Sequence, residues 1–322
     1  MKIEEIYALI EADMERVDTC IKEKLRSEVV LINQVGQYIV HSGGKRLRPI
    51  LHLLAANAFQ YNGDEHIECA ALIEFIHTAT LLHDDVVDAS ELRRGKDTAN
   101  AVFGNEASVL VGDFLYSRAF QMMVHINRMR VMDILANATN TIAEGEVQQL
   151  LNVHDPDTTE ARYLQVIHDK TAKLFESATQ LAAVLSNQPA DVEDSIARYG
   201  MHLGTAFQLI DDVLDYGDSS DEIGKNVGDD LAEGKPTLPL IYAMQKGNDE
   251  QKALIRDVIE NGGRDKIAEV KAAITETGAL NYTEQTARTE SRKAIECLSV
   301  LPDTIYKEAL HALAEFSVDR TY

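Results

Sequence analysis

Two short aspartate-rich segments contain the residues whose types and spacing are most suited to metal chemistry. Their carboxylates are Asp84, Asp85 and Asp88 in LLHDDVVD, and Asp211, Asp212 and Asp215 in LIDDVLD. In each segment the first and last aspartates are four residues apart, so on a helix they lie on the same face. Like charges at this spacing destabilise a helix, and a hard divalent cation with oxygen ligands, such as Mg²⁺, removes the repulsion.

The repetition of the motif favours a functional site, because a single copy is more often a solvated acidic face. Both copies have apolar flanks, which predicts two facing helices whose carboxylates surround a shared cavity. His77 lies seven residues before Asp84 and is either a core histidine or a hydrogen-bond partner of a substrate. Gln208 lies three residues before Asp211, on the same helical face. Considered with the cationic residues that follow, the two motifs predict metal-assisted binding of a diphosphate.

Concentrated positive charge is also needed if an acidic protein is to bind a diphosphate. The segment GGKRLRP (43–49) provides Lys45, Arg46 and Arg48 directly after two glycines that permit close approach of the backbone. Arginine matches phosphate oxygens with two parallel hydrogen bonds, and lysine acts as a point charge. Taken singly, the further cationic candidates are more often surface charges; they are Arg93, Arg94, Lys170 (followed by Thr171), Lys225 and Lys235.

The elements that must position these residues are helices. Apolar residues recur at spacings of three and four along almost the whole chain, and strict alternation is hard to find. Prolines occur where helices would begin or connect, and no low-complexity linker interrupts the pattern. The segments near 66–90 and 190–216 are apolar around most of the helix circumference, which is typical of central helices. The pattern predicts an all-α protein with one domain over residues 1–322.

Composition excludes several classes of function. The formal net charge of the 322 residues is −22, which argues against nucleic-acid binding through a broad basic face. The three cysteines form no CxxC pair, so a disulfide framework or a zinc site is not expected and a reducing cytosol is the simplest setting. The N-terminus lacks the pattern of a signal peptide, and no apolar stretch is long enough for a transmembrane helix. We therefore expect a soluble cytoplasmic protein.

Taken together, the motifs resemble those of the trans-type (E-type) polyprenyl diphosphate synthases. The segments GGKRLRP, LLHDDVVD followed by RR, KT, FQLIDDVLD, GKN and GDDLAEGKPTLP occur in the order of that family, over residues 43–239. With the flanking helices, the resemblance covers essentially the whole chain. LGTAFQLIDDVLDY and IGKNVGDDLAEGKPTLPL are most similar to bacterial members that make octaprenyl diphosphate for quinone side chains; nonaprenyl and heptaprenyl products remain alternatives.

The resemblance implies an all-α isoprenoid-synthase-type bundle around a central cavity, usually as a homodimer. It implies roughly two or three Mg²⁺ ions per active site. The principal ligands would be Asp84, Asp88 and Asp211, with Asp85, Asp212 and Asp215 in support. The allylic diphosphate would be bound by Arg93, Lys170, Thr171, Gln208, Lys225 and Lys235. Isopentenyl diphosphate would be bound by Lys45, Arg48, His77 and Arg94.

Product length in such an enzyme depends on how deep an apolar tunnel runs beneath the first aspartates. Ala79 and Thr80 lie about one helical turn before Asp84, where shorter-chain members of the family commonly carry aromatic residues. Small residues here favour a long product, and Ala79→Tyr is expected to shorten it. A floor for the tunnel is predicted from a neighbouring helix around Phe120, Met122 and Met123, although such a stripe is more often plain core.

Three other classes of protein compete with this interpretation. A terpene cyclase or a head-to-head coupling enzyme also uses aspartate-rich motifs, but it needs no second diphosphate site such as GGKRLRP. A non-catalytic partner subunit would be expected to lack one of the aspartate motifs, and both are intact. An acidic helical protein with adventitious cation binding would form no product, which distinguishes it by experiment.

Overall fold

The computed structural model of the chain describes residues 1–41, 43–93, 95–217 and 228–319. Within them, regular structure is helical except for one hairpin of two-residue strands, β1 (Leu92–Arg93) and β2 (Lys96–Asp97). The helices before residue 127 are α1 (Ile3–Leu9), α2 (Glu11–Lys24), α3 (Val30–His41), α4 (Leu47–Ala58), α5 (Glu65–Val87), α6 (Ala99–Phe103) and α7 (Asn105–Ile126). The all-α prediction is thus confirmed.

The remaining helices follow in the second part of the chain. They are α8 (Met129–Asn152), α9 (Glu160–Val166), α10 (Lys173–Leu185), α11 (Ala190–Leu214), α12 (Asp229–Ala232), α13 (Leu238–Lys246), α14 (Asp249–Asn261), α15 (Ile267–Glu276), α16 (Ala279–Cys297) and α17 (Ile305–Asp319). A π-helix (Ile167–Ala172) joins α9 to α10, and short 3₁₀ turns occur at Arg264–Lys266 and Leu298–Val300. None of the helices in the described segments is both long enough and apolar enough to cross a membrane.

The described residues divide into two compact units. The first unit draws on residues 1–139, 174–200 and 297–313, and the second on residues 140–173, 201–296 and 314–319. Each unit contains one of the two aspartate motifs. The motif with Asp84 belongs to the first unit, and the motif with Asp211 belongs to the second.

Helix α5 is the central element of the first unit. Its buried side chains occur on all sides of the helix between Ile67 and Leu82, as expected for a helix that is apolar all round. It packs most extensively against α7, and also against α4 and α2. The central position predicted from the apolar pattern therefore agrees with the structure. It holds the first aspartate motif at the C-terminal end of α5.

Gly112 of α7 allows a close approach between α7 and the His83 ring of α5. A Cβ atom built at this position would lie 2.3 Å from Nε2 of His83, which is too short for any real contact. A larger residue at this position would therefore force the His83 ring to move. The His83 ring is fixed further, because its Nε2 lies 3.1 Å from the carbonyl oxygen of Val109. Since His83 immediately precedes Asp84, this packing positions the start of the aspartate motif.

A buried histidine links α4 to α10 in the same unit. His52 has no exposed surface, and its Nδ1 donates a hydrogen bond of 2.7 Å to the carbonyl oxygen of Ala178. Burial lowers the pKa of His52 to about 4, because the charged imidazolium would lose its hydration. His52 is therefore neutral in the folded protein near neutral pH.

This histidine should make stability depend on pH. The pKa of His52 is lower in the folded state than in the unfolded chain, so the unfolded chain takes up the proton first as the pH falls. We expect His52 to remove about 2 kcal/mol from the free energy of unfolding between pH 7 and pH 5. Urea denaturation of the wild type and of His52→Leu at both pH values measures the difference. Equal losses of stability in the two proteins would contradict this account.

The second unit has its core around α9, the C-terminal half of α11, and α13. Tyr163, Leu209, Ile210, Leu238 and Ile241 are buried together there. A second cluster joins α13 to α14 and α15 through apolar residues that include Leu240, Ile255, Val258, Val270 and Ile274. These clusters fix the end of α11, where the second aspartate motif lies.

The π-helix of the second unit lies against α8. A Cβ atom at Gly145 of α8 would be 2.8 Å from the backbone nitrogen of Lys170, so only glycine permits this approach. Single turns of π-helix are rare and occur frequently at functional sites. Here the wide turn contains Lys170 and Thr171, two of the residues predicted from the sequence to bind substrate.

Candidate active-site residues

The three aspartates of the first motif differ in their surroundings. Asp84 and Asp88 are partly exposed at the end of α5, whereas Asp85 has no exposed surface. Oδ1 of Asp85 accepts hydrogen bonds from Nε of Arg93 at 2.8 Å and lies 2.7 Å from its Nη2. Burial raises the pKa of Asp85, and the Arg93 guanidinium opposes that rise. Asp85 therefore ties the helix end to the hairpin that follows it.

The β1–β2 hairpin is the element that brings Arg93 to this position. Arg93 is paired with Lys96 across the hairpin, and Gly95 in the turn has a φ of +71°. A positive φ of this size favours glycine, which explains the glycine in the turn. Arg94, predicted to bind isopentenyl diphosphate, lies outside the described residues.

The GGKRLRP segment forms an irregular loop before α4. Gly43 and Gly44 have φ values of +84° and +154°, conformations that L side chains rarely adopt. Nη1 of Arg48 lies 3.1 Å from Nε2 of His77. Since arginine only donates, the His77 nitrogen accepts, and the imidazole is neutral in this arrangement. The structure thus brings together two of the residues predicted to bind isopentenyl diphosphate.

A cation–π contact holds Arg48 from a second side. Its guanidinium carbon lies 4.4 Å from the centroid of the Phe175 ring of α10. His77 and Phe175 thus contact the Arg48 guanidinium from two sides. Lys45, two residues before α4, is exposed.

The middle aspartate of the second motif is also buried. Asp212 is 2% exposed and accepts hydrogen bonds from the Tyr163 hydroxyl and, at 2.9 Å, from Nε2 of Gln208. Oε1 of Gln208 in turn accepts from Oγ1 of Thr171 at 3.3 Å. Burial, with the nearby Asp230 carboxylate, raises the pKa of Asp212. Asp211 and Asp215 are partly exposed.

Tyr163 is a component of this network that the sequence analysis did not identify. It is 7% exposed, and burial raises the pKa of its hydroxyl, which therefore stays protonated and donates to Asp212. The network of Tyr163, Asp212, Gln208 and Thr171 orients two of the residues predicted to bind the allylic diphosphate. The spacing of seven residues between Tyr163 and Lys170 gives no recognisable signal in one sequence.

Removing the Tyr163 hydroxyl should therefore affect both stability and catalysis. Tyr163→Phe leaves one oxygen of the buried Asp212 without its donor, at a cost of about 2 kcal/mol in the free energy of unfolding. We expect turnover to fall roughly tenfold, because Gln208 and Thr171 lose their fixed orientation. Urea denaturation and steady-state kinetics measure the two effects.

A matched control is available in Tyr199. This buried tyrosine donates a 2.7 Å hydrogen bond to the carbonyl oxygen of Leu310, a contact that involves neither aspartate motif. Tyr199→Phe should destabilise the protein while leaving turnover within about twofold. Equal losses of turnover in the two variants would show that Tyr163 acts only through stability.

Lys170 has partners that the sequence analysis also missed. Its Nζ lies 2.6 Å from Oε2 of Glu146 and donates to Oε1 of Gln149 at 2.7 Å. Glu146 and Gln149 are three residues apart on α8, a spacing that places them on one helical face. The spacing of these two residues in EGEVQQ (144–149) is the sequence signal from which they could have been predicted. They hold the ammonium group of Lys170 in place on the π-helix.

Of the other two lysines predicted to bind the allylic diphosphate, the structure describes only Lys235. Nζ of Lys235 forms an ion pair of 2.5 Å with Oε2 of Glu233 and is mostly buried. Lys225 lies outside the described residues. Of the cationic candidates in the second unit, the structure therefore orients Lys170 and Lys235 through nearby carboxylates.

The donor set fits a hard divalent cation. Every candidate ligand in the two motifs is a carboxylate, and Oδ2 of Asp85 is buried without a hydrogen-bond partner. No group of three or more histidine, cysteine, aspartate or glutamate residues in the described ranges is arranged to hold a metal alone. Mg²⁺ sites usually combine one or two carboxylates with substrate phosphates and water, so this arrangement is compatible with a substrate-bridged metal.

The residues predicted to set product length lie in the first unit. Ala79 is completely buried, and Met122 and Met123 are 1% exposed, so all three are tightly packed. Thr80 is partly exposed and lies one turn before Asp84 on the same face of α5. Phe120 differs from the expectation of a buried floor, because it falls on the outer face of α7 and is 44% exposed.

Comparison with known proteins places these features in one family. The polyprenyl synthetase family matches residues 29–277. The chain is 54% identical to the octaprenyl diphosphate synthase of Haemophilus influenzae, an alignment that covers 100% of this chain and 98% of the relative. It is 55% identical to the octaprenyl diphosphate synthase of Escherichia coli K12, with 99% of each protein covered.

Solved structures agree with the sequence relatives. A polyprenyl synthase from Caulobacter crescentus, crystallised with calcium and isoprenyl diphosphate, superposes with a TM-score of 0.96 at 41% identity, covering 100% of this chain and 98% of that one. A decaprenyl diphosphate synthase from Rhodobacter capsulatus superposes with a TM-score of 0.94 at 43% identity, covering 99% of each chain.

This chain therefore belongs to the polyprenyl synthetase family. It has the all-α isoprenoid-synthase fold, and it is a long-chain trans-prenyltransferase. The predicted family, fold class and enzyme class are confirmed. Members of this family use a divalent metal ion.

Proposed function

We propose that the enzyme is an octaprenyl diphosphate synthase, with residues 1–322 acting as a single polyprenyl synthase domain. It would extend an allylic diphosphate, preferably farnesyl diphosphate, with successive units of isopentenyl diphosphate, and supply the precursor of quinone side chains. The observation that carries the proposal is identity of 54–55% over essentially the full length to two octaprenyl diphosphate synthases. Both aspartate motifs and the GGKRLRP loop are present in this chain.

The allylic diphosphate is proposed to bind through both aspartate motifs. Asp84, Asp88 and Asp211 would be the principal ligands of Mg²⁺, with Asp85, Asp212 and Asp215 in support. When bound, Mg²⁺ supplies charge neutralisation for the diphosphate leaving group. Lys170, held by Glu146 and Gln149, adds positive charge, and Thr171 and Gln208 orient the phosphate oxygens by hydrogen bonds. Arg93, Lys225 and Lys235 complete the set.

Isopentenyl diphosphate is proposed to bind at the GGKRLRP loop. Lys45, Arg48, His77 and Arg94 would hold its diphosphate. The allylic carbon–oxygen bond breaks to give an allylic cation and pyrophosphate, and the alkene of isopentenyl diphosphate then attacks that cation. Loss of a proton gives the longer allylic diphosphate, and the released pyrophosphate takes up this proton. Apolar walls must exclude water, which would otherwise capture the cation.

The active form is proposed to be a homodimer in the cytoplasm. The outer face of α7 carries Leu110, Phe120 and Val124 at 66%, 44% and 62% exposure. Exposed apolar side chains at helical spacing are typical of a surface that a second subunit covers. Sedimentation of the purified protein should therefore report twice the mass of the 35.7 kDa chain.

The decisive experiment is incubation of the purified protein with Mg²⁺, farnesyl diphosphate and labelled isopentenyl diphosphate. We expect a ladder of products that ends at octaprenyl diphosphate and that disappears when a chelator removes the metal. A ladder ending at heptaprenyl or nonaprenyl diphosphate would keep the reaction and correct the product. A stop at geranylgeranyl diphosphate would contradict a long-chain synthase, and no elongation at all would contradict the proposed function.

A further inference from the structure

We infer that helices α1 and α2 form a clamp on the GGKRLRP loop and thereby set the affinity for isopentenyl diphosphate. This inference rests on the proposed function of the loop. The clamp consists of Tyr7 on α1 and Asp18 on α2, each of which contacts one residue of the loop. Both helices lie before residues 29–277, the range that the family model matches.

The first contact of the clamp is made by Tyr7. Its hydroxyl donates a hydrogen bond of 3.2 Å to the backbone carbonyl oxygen of Lys45. Tyr7 is partly buried, and burial raises the pKa of its hydroxyl, so the group remains a donor at neutral pH. Tyr7 contacts the backbone of Lys45 and not its ammonium group. It therefore restrains the position of Lys45 without neutralising its charge.

The second contact joins Asp18 to Arg46. Nη1 of Arg46 lies 3.3 Å from Oδ1 of Asp18, and the Arg46 side chain is only 18% exposed. The Arg46 backbone is left-handed, with a φ of +48°, a conformation that a long side chain rarely adopts. Strained residues of this kind persist where surrounding contacts over-determine them. The ion pair with α2 is one such contact, and Arg46 is thus a positioning residue in this loop.

Helix α2 is itself well anchored in the first unit. Val17 and Ile21 are buried against the core, and α2 packs on α5. Asp18 lies between these two buried residues along the chain, so its carboxylate is carried by a fixed backbone. Arg48 has separate support from His77 and Phe175. The clamp therefore acts mainly on Lys45, the loop cation whose backbone Tyr7 contacts.

The test uses the full-length protein and the variants Tyr7→Phe, Asp18→Asn and their combination. We expect the KM for isopentenyl diphosphate to rise about fivefold in each single variant and at least about tenfold in the double variant. The kcat and the KM for farnesyl diphosphate should stay within about twofold, because neither contact reaches the aspartate motifs. Asp18→Glu, which preserves the charge, should restore most of the affinity.

A matched control is Asp64→Asn. It removes the ion pair between Asp64 and Arg16, which also lies on α2 but does not touch the loop. Its KM for isopentenyl diphosphate should equal that of the wild type. An equal rise in KM for Asp64→Asn and Asp18→Asn would overturn the clamp, because it would show a general effect of loosening α2.

Calorimetric titration of isopentenyl diphosphate gives a readout that does not require turnover. The dissociation constant should rise by the same factors in the clamp variants, with Asp64→Asn again unchanged. An unchanged dissociation constant in the double variant, with normal elongation by the wild type, would overturn the clamp and leave the proposed function intact. Failure of the wild type to elongate would instead overturn the proposed function, while the titration would still decide whether α1 and α2 control this binding site.

Discussion

Replacing Asp84 with alanine should lower turnover by at least about a thousandfold, because one carboxylate that stabilises the charge of the leaving diphosphate is lost. Asp84 is partly exposed at the end of α5, whereas its neighbour Asp85 is buried and accepts a hydrogen bond from Arg93. The fold should be preserved, because Asp84 lies outside the packed core of the helix. Single-turnover kinetics with farnesyl diphosphate measure the chemical step directly.

The matched control for Asp84→Ala is Asp64→Ala at the opposite end of α5. Asp64 is a highly exposed carboxylate before the first residue of that helix, far along the chain from the motif. Its substitution should leave turnover within about twofold of the wild type. Raising the Mg²⁺ concentration should recover only part of the activity of Asp84→Ala. Near-normal turnover in Asp84→Ala would remove the first aspartate motif from the mechanism.

An aromatic residue at position 80 should stop elongation from farnesyl diphosphate early, at geranylgeranyl diphosphate or a few units beyond it. Thr80 is partly exposed and lies one turn before Asp84 on the same helical face, so a tyrosine ring there would occupy the space into which a product grows. Ala79→Tyr should shorten the product as well. Because Ala79 has no exposed surface, that variant should also lose about 1–3 kcal/mol of stability through overpacking.

Chromatography of the labelled products separates these outcomes. Thr80→Val, which changes polarity but hardly changes volume, is the matched control and should keep the long product. Shortening in Thr80→Tyr but not in Thr80→Val would assign the effect to volume. If both tyrosine variants still made full-length product, the space beneath Asp84 would not be the determinant of chain length.

The local features of the site were predictable from the sequence because they depend on short-range periodicity. The spacing of four residues placed Asp84 and Asp88 on one helical face, and the structure has them at the end of α5 as expected. The proline of GGKRLRP likewise predicted the start of a helix, and Pro49 lies in the first turn of α4. Patterns of this kind are read within one or two turns, so no knowledge of tertiary packing is needed.

The division of roles within each motif was not predictable. Asp85 and Asp212 are buried, and their hydrogen-bond partners include Arg93, eight residues away, and Tyr163, 49 residues away. A single sequence contains no signal that selects these partners from the many arginines and tyrosines of the chain. The same holds for Arg46, which looks like another phosphate ligand in GGKRLRP but is paired with Asp18. Tertiary packing decides which charged side chains face a substrate. It also decides which of them form ion pairs or hydrogen bonds within the protein.

The π-helix at Ile167–Ala172 restricts how this region of the protein can change in evolution. Each residue in an α-helix turns the chain by about 100°, so deleting one residue before Lys170 would swing its side chain away from Glu146 and Gln149. Surface loops elsewhere tolerate such length changes. In this segment, by contrast, the residue count is itself part of the site. We therefore expect a homologue with one residue fewer here to have lost the function of this lysine, even if both aspartate motifs and GGKRLRP were still present in its sequence.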